Sequence, residues 1–162
     1  MSRRDDKGIK RINLDRYREL KYFCRQYPVW MKKIYEVEES IGIRGVKYDD
    51  MPHARNTSSS VEQKVLQLNM LYAKVNMIDD AAYTVAPDMA EAIVFYCCID
   101  TKISVAELKS IHGLECSESA FLKSRANFFR YLSMLKEQVE YDGVRARYRK
   151  KADTANWKFK QR

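Results

Sequence analysis

The chain has 162 residues, 46% of them hydrophobic and 32% charged, which is enough apolar material for a core without disulfide or metal staples and too much for global disorder. Its 30 Lys+Arg against 22 Asp+Glu leave a formal net charge of +8. That excess points to an acidic partner, nucleic acid being the commonest because each neutralised phosphate releases counterions. The longest apolar run, Ala90 to Cys98 around Glu91, is about half of the roughly 20 residues that a membrane span needs, and Arg3 and Arg4 precede no hydrophobic signal segment. No membrane partner and a location inside the cell are therefore expected.

Five glycines and three prolines punctuate the sequence and no sustained alternation suggests strands, so the expected class is all-α, with five or six helices. The first runs from Asn13, as N-cap, to about Gln26, with Leu14, Tyr17, Leu20 and Cys24 at helical spacing. Pro28 either interrupts it or opens the next helix, in which Trp30, Ile34, Val37 and Ile41 continue the stripe. Residues 42–59 turn polar and read as an exposed loop. Ser60 is expected to cap a long helix whose Val61, Val65, Leu68, Leu71, Val75 and Ile78 form a buried stripe packed antiparallel on the preceding segment. This hairpin either closes on itself or supplies a dimer seam. The expected organisation is an N-terminal helical module over 1–82, a DNA-binding domain over 83–140 and a basic tail over 141–162.

Pro87 fits the first turn of a short helix that is apolar all round and hence buried. Ser104 and Glu107 then form a capping box, Leu108 and Ile111 give the new helix an apolar face, and Gly113 supplies a left-handed residue to end it. A longer helix starts at Ser117, with Phe121, Leu122, Arg125, Phe128, Phe129, Leu132 and Leu135 as its stripe. Short helix, glycine turn, longer basic helix is the order of a helix-turn-helix, whose second helix enters the major groove of duplex DNA by its N-terminal residues. Ser117, Ser119, Lys123, Ser124 and Asn127 fall off the Phe121, Phe128, Leu132 line and are the candidates for base contacts, with Arg125 and Arg130 for phosphate. Arg145, Arg147, Arg149 and Lys150 of the tail suit backbone or minor-groove contact.

Catalysis lacks a candidate, since no GxGxxG, P-loop or GxSxG occurs and neither His53 nor His112 has a nucleophile at suitable spacing. Cys24, Cys97, Cys98 and Cys116 make no CxxC pair, so no metal or other cofactor is expected, and Cys97 and Cys98 read as small buried hydrophobes.

The stretch Tyr17-Arg18-Glu19-Leu20-Lys21-Tyr22-Phe23-Cys24-Arg25-Gln26-Tyr27-Pro28 followed by Trp30, then Met51-Pro52-His53, then Gly113-Leu114-Glu115-Cys116 with Phe121, Arg125, Phe128-Phe129 and Leu132, resembles the RinA/ArpU-like phage transcriptional regulators over about residues 17 to 135. The resemblance implies a sigma-region-four-like helix-turn-helix behind a helical module. It also implies activation or repression of a late or packaging promoter in the cytoplasm of a host cell, with host RNA polymerase as a further partner and a homodimer as the expected assembly. Two features depart from the group: a turn between Gly113 and Ser117 longer than a minimal one, and the basic extension after Leu135. A small-terminase-like packaging component and an RNA-polymerase-binding adaptor are the alternatives.

Overall fold

The computed structural model describes residues 12–43, 58–99 and 102–159, with side chains over 12–41, 61–99 and 102–143. The fold is all-α. Its helices are α1 (Leu14–Arg25), α2 (Tyr27–Ile43), α3 (Ser58–Val85), α4 (Ala90–Val94), α5 (Val105–His112) and α6 (Glu118–Phe159). A 3₁₀ turn, Pro87–Met89, leads into α4, and a π-helical turn, Phe95–Ile99, extends it.

Local chemistry sets the helix ends. The Asn13 side chain accepts the Arg16 amide at 2.7 Å, satisfying one of the free donors of α1. At the other end the Gln26 N–H turns back to the Phe23 carbonyl at 3.1 Å, and the Trp30 N–H to the Gln26 carbonyl at 3.0 Å. Pro28, which has no N–H to give, therefore sits in the first turn of α2, and α1 and α2 form a kinked pair.

Helices α2 and α3 form the expected antiparallel hairpin, laced by polar contacts on facing side chains. Tyr27 donates to Asp79, Tyr72 bonds Glu38, and Lys64 donates to the Ser40 hydroxyl at 2.9 Å. The stripe expected on α3 is buried only at its C-terminal end. Leu71, Val75 and Ile78 are covered, whereas Val61 and Val65 remain 53% and 43% exposed, because at this level the side of α3 turned toward α2 runs through Lys64 and Leu68. The helix also begins at Ser58 rather than Ser60, and the rest of the expected loop, 44–57, lies outside the described residues.

The segment from Ala90 to Cys98 is buried nearly all round, as its composition requires: Ala90, Ala92, Ile93, Val94, Cys97 and Cys98 all belong to the core. Helix α3 passes through the expected boundary at 82/83 and ends at Val85. Among the described residues a single buried cluster takes Leu20 and Cys24 from α1, Trp30 and Ile34 from α2, Ile78, Ala81 and Ala82 from α3, and Leu108, Phe121, Phe128 and Leu132 from α5 and α6. The expected basic tail continues α6 to Phe159, so the helix spans 42 residues or roughly 63 Å at 1.5 Å per residue.

Candidate nucleic-acid interface

The α5 to α6 corner is built by three small devices. Ser104 Oγ accepts the Glu107 amide at 3.2 Å while the Glu107 carboxylate accepts the Ser104 amide at 3.1 Å, so the capping box forms as expected. Gly113 adopts φ 62°, ψ 34°, a left-handed conformation that costs a side-chain-bearing residue more than glycine, and the Leu114 N–H returns to the Lys109 carbonyl at 3.0 Å. Ser117 caps α6, its hydroxyl accepting the Ala120 amide at 3.2 Å and meeting the Ser119 hydroxyl at 3.1 Å. Val105 and Leu108 are the inward face of α5. Ile111 was expected beside them but is 62% exposed, lining an open surface depression with Lys102, Ile103, Glu107 and Ser110.

The first half of α6 divides cleanly by periodicity. Phe121, Phe128, Phe129 and Leu132 are buried, and the Tyr96 ring meets Phe121 edge-on at 5.7 Å. On the opposite side Ser119, Lys123, Asn127 and Arg130 follow at steps of four, four and three, forming one ridge. Ser119 and Lys123 are exposed, Asn127 and Arg130 half-buried, and the Arg130 guanidinium donates to the Asn127 side-chain oxygen at 3.2 Å. That bond orients the Asn127 amide so that its N–H₂ is left to point elsewhere. Ser124 lies on the flank, half-buried, away from this ridge.

Arg125 is a correction. Read from the sequence as a phosphate contact, its guanidinium instead donates to the Tyr17 hydroxyl of α1 at 2.7 Å and lies over the rings of Tyr96 at 5.3 Å and Phe129 at 5.9 Å. The Tyr17 ring stands edge-on to Phe129 at 4.9 Å. Arg125 also faces the buried Cys97 thiol. Burial pushes that thiol up to about 12, with the arginine acting in the other direction. Cys98, beside Cys24, is pushed up further by its bond to that thiol and by burial. Its place in the stripe accords with this: Arg125 comes four residues after Phe121 and four before Phe129, on the packed side of the helix.

Helix α1 therefore braces α6, a relation the sequence did not reveal. Farther along, Arg16 donates to the Ser133 hydroxyl at 3.1 Å and pairs with Glu19 at 2.8 Å and Glu140 at 3.7 Å, while Lys136 bonds Glu19 and lies over the Phe23 ring at 5.1 Å. Lys136 first and Arg16 second hold the Glu19 carboxyl below its ordinary value. Next to the ridge, an open cleft lined by Ile12, Leu14, Tyr17, Ala126, Phe129 and Arg130 separates the first turn of α1 from α6. Arg145, Arg147, Arg149 and Lys150 lie on the distal part of α6, where side chains are outside the described set.

Among the described residues no group of three or more His, Cys, Asp or Glu is placed to hold a metal ion, and no helix is long and apolar enough to cross a membrane. Comparison with protein families, curated proteins and solved structures finds no match.

Proposed function

We propose that the protein is a sequence-specific regulator of transcription that binds duplex DNA through the N-terminal half of α6. The observation that carries this reading is the ridge of Ser119, Lys123, Asn127 and Arg130. It joins hydroxyl, ammonium, amide and guanidinium donors on the outward side of a helix whose other side is fixed by Phe121, Phe128 and Leu132. Amide and ammonium groups at such spacing suit adenine and guanine edges in the major groove, while Ser117 and the free amides of the first turn suit a phosphate. Arg130 then holds Asn127 in position as well as offering charge to the backbone.

The net charge of +8 and the basic distal half of α6 support the same reading. If the helix follows the DNA beyond the ridge, Arg145, Arg147, Arg149 and Lys150 add sequence-independent attraction along the phosphates. The resemblance to RinA/ArpU-like regulators gives the proposal its setting, a late or packaging promoter of a phage within its host's cytoplasm, and a homodimer would double the half-sites read. An adaptor that docks on host RNA polymerase is the second reading. It is favoured by Tyr22 and Tyr35, both large aromatic side chains left exposed on α1 and α2.

The test is selection of bound duplexes from a randomised DNA library by the full chain, at about 150 mM salt where unspecific binding is weak. A regulator enriches a defined motif. Retention of duplexes without enrichment would favour a packaging role, and no retention at all an adaptor.

A further inference from the structure

A recess of about 60 Å³ opens between α1, the π-helical turn and α6, lined by Tyr17, Lys21, Tyr96, Cys97, Arg125 and Phe129. That is several times the space one water needs and room for a small polyatomic ion. Its polar lining consists of donors. Arg125 gives one N–H to the Tyr17 hydroxyl at 2.7 Å and keeps the rest of its fork. Because the Tyr17 oxygen accepts that bond, its own O–H is left to donate, and it meets no acceptor among the described residues. Lys21 stands four residues after Tyr17 on the same side of α1. The buried Cys97 thiol adds a weak S–H donor.

No carboxylate is set against these donors. Both cations are half-buried, and both act on the Cys97 thiol against the rise that burial imposes, which places them on the same recess. Yet neither forms an ion pair among the described residues, since the acids of α1 are engaged elsewhere: Asp15 with Arg18, and Glu19 with Arg16 and Lys136. Two like charges drawn partly out of water repel and lose hydration, a cost that an anion between them offsets. The rings of Tyr96 and Phe129 meet the face of the guanidinium and leave its edge for such an ion. Tyr96 and Cys97 also belong to the π-helical turn, a rare departure from regular helix that is frequent at functional sites.

We infer that this recess binds one small free oxyanion of the phosphate or sulfate class, clamped by Arg125 and Lys21 with the Tyr17 hydroxyl donating to it. The lining sets the charge of the ligand and the volume sets its size, which admits a tetrahedral oxyanion and no nucleoside. The bound ion ties α1 to α6 and to the π-helical turn. Arg125 lies nearly half a helical turn round α6 from the ridge of Ser119, Lys123, Asn127 and Arg130, so a duplex seated on that ridge does not reach the recess. The site therefore stands independently of DNA binding, and its ligand comes from solution rather than from the DNA backbone.

Isothermal titration calorimetry of the full chain with inorganic phosphate, at fixed ionic strength in chloride, tests the site. The wild type and Arg18→Gln, which removes an exposed cation from the same helix, are expected to bind one phosphate per chain with equal affinity. Lys21→Gln is expected to weaken binding by roughly tenfold or more, the loss of one charge-assisted bond. Lys21 makes no hydrogen bond among the described residues, so its replacement should leave the melting temperature without phosphate unchanged. Added phosphate should then raise the melting temperature of the wild type more than that of Lys21→Gln. Saturating duplex DNA should leave the phosphate in place. No saturable binding, equal affinity in Lys21→Gln, or a matching loss in Arg18→Gln would overturn the inference. Release of phosphate by duplex DNA would overturn it too, by giving the recess to a DNA phosphate.

Discussion

Arg125 separates an internal brace from a DNA contact, and Arg125→Met tests which it is. Methionine keeps the length of the side chain between Phe121 and Phe129 and removes the guanidinium. The loss comprises one charge-assisted bond to the Tyr17 hydroxyl, worth about 1.5 kcal/mol at the lower end because half-buried Tyr17 can turn to water instead. Two cation–π contacts, over Tyr96 and Phe129, add about 0.5 kcal/mol each in a partly exposed site. The expected destabilisation is thus about 2.5 kcal/mol, or a fall in melting temperature of roughly 5–10 °C for a chain of this size. Thermal melts followed by circular dichroism read the first quantity, and a salt series of DNA binding reads the second. The logarithmic salt slope should stay where it is in the wild type, since no phosphate contact is removed. If Arg125→Met melts like the wild type and flattens the salt slope by about 0.9, the value for one phosphate contact, the inward assignment is refuted.

Gly113→Ala meets no atom within 4 Å of its new Cβ, so its cost is that of the left-handed backbone alone, about 1 kcal/mol, read from urea midpoints; Gly113→Asn should cost less. Burial raises the Asp79 carboxyl, with the neighbouring Asp80 adding to the rise and the Tyr27 bond opposing it. The folded state therefore holds this proton more tightly than the unfolded one, and the contribution of Asp79 to stability declines as pH rises from the ordinary carboxylate range through the raised value. Asp79→Asn keeps an acceptor for Tyr27 and should flatten that decline in urea titrations at stepped pH; an unchanged profile would count against it. Iodoacetamide should label Cys116 alone in the native chain, because Cys24, Cys97 and Cys98 are buried, and all four cysteines in urea, as mass spectrometry would show. Removing residues 145–162 deletes the basic Arg145, Arg147, Arg149, Lys150, Lys151, Lys158, Lys160 and Arg162 and should weaken binding to every duplex alike, with a shallower salt slope.

Much of this architecture was legible residue by residue. Asn13, the Ser104/Glu107 box and Gly113 act through contacts within four or five positions of themselves, so the sequence carries their geometry directly. What depends on partners distant in sequence was not legible. Val61 and Val65 continue a stripe that spacing alone would bury, but burial needs a neighbour, and α2 does not cover them. The charged pattern after Glu140 reads as a solvated tail, yet it contains no proline and only Gly143 as a weak interruption, so the helix carries on. The pairing of Tyr17 with Arg125 joins the two stretches on which the family resemblance rests, 108 positions apart, and no local rule links them. For the candidate interface, periodicity put Ser119, Lys123, Asn127 and Arg130 on the outer side and Arg125 in the packed stripe, and only the charge of Arg125 pointed outward to phosphate.

The measurement that bears most directly on the proposed function compares affinity for a selected duplex with affinity for a random one, at about 150 mM salt, for the wild type and for the Lys123→Ala/Asn127→Ala double variant. Both positions lie on the outer ridge and away from the core, so the fold should be unaffected. The account predicts that the variant loses roughly a hundredfold or more on the selected duplex, as expected for contacts worth about 1–3 kcal/mol each, and only a few-fold on random DNA. Equal losses on the two duplexes, or none on either, would contradict the assignment of this ridge to base recognition.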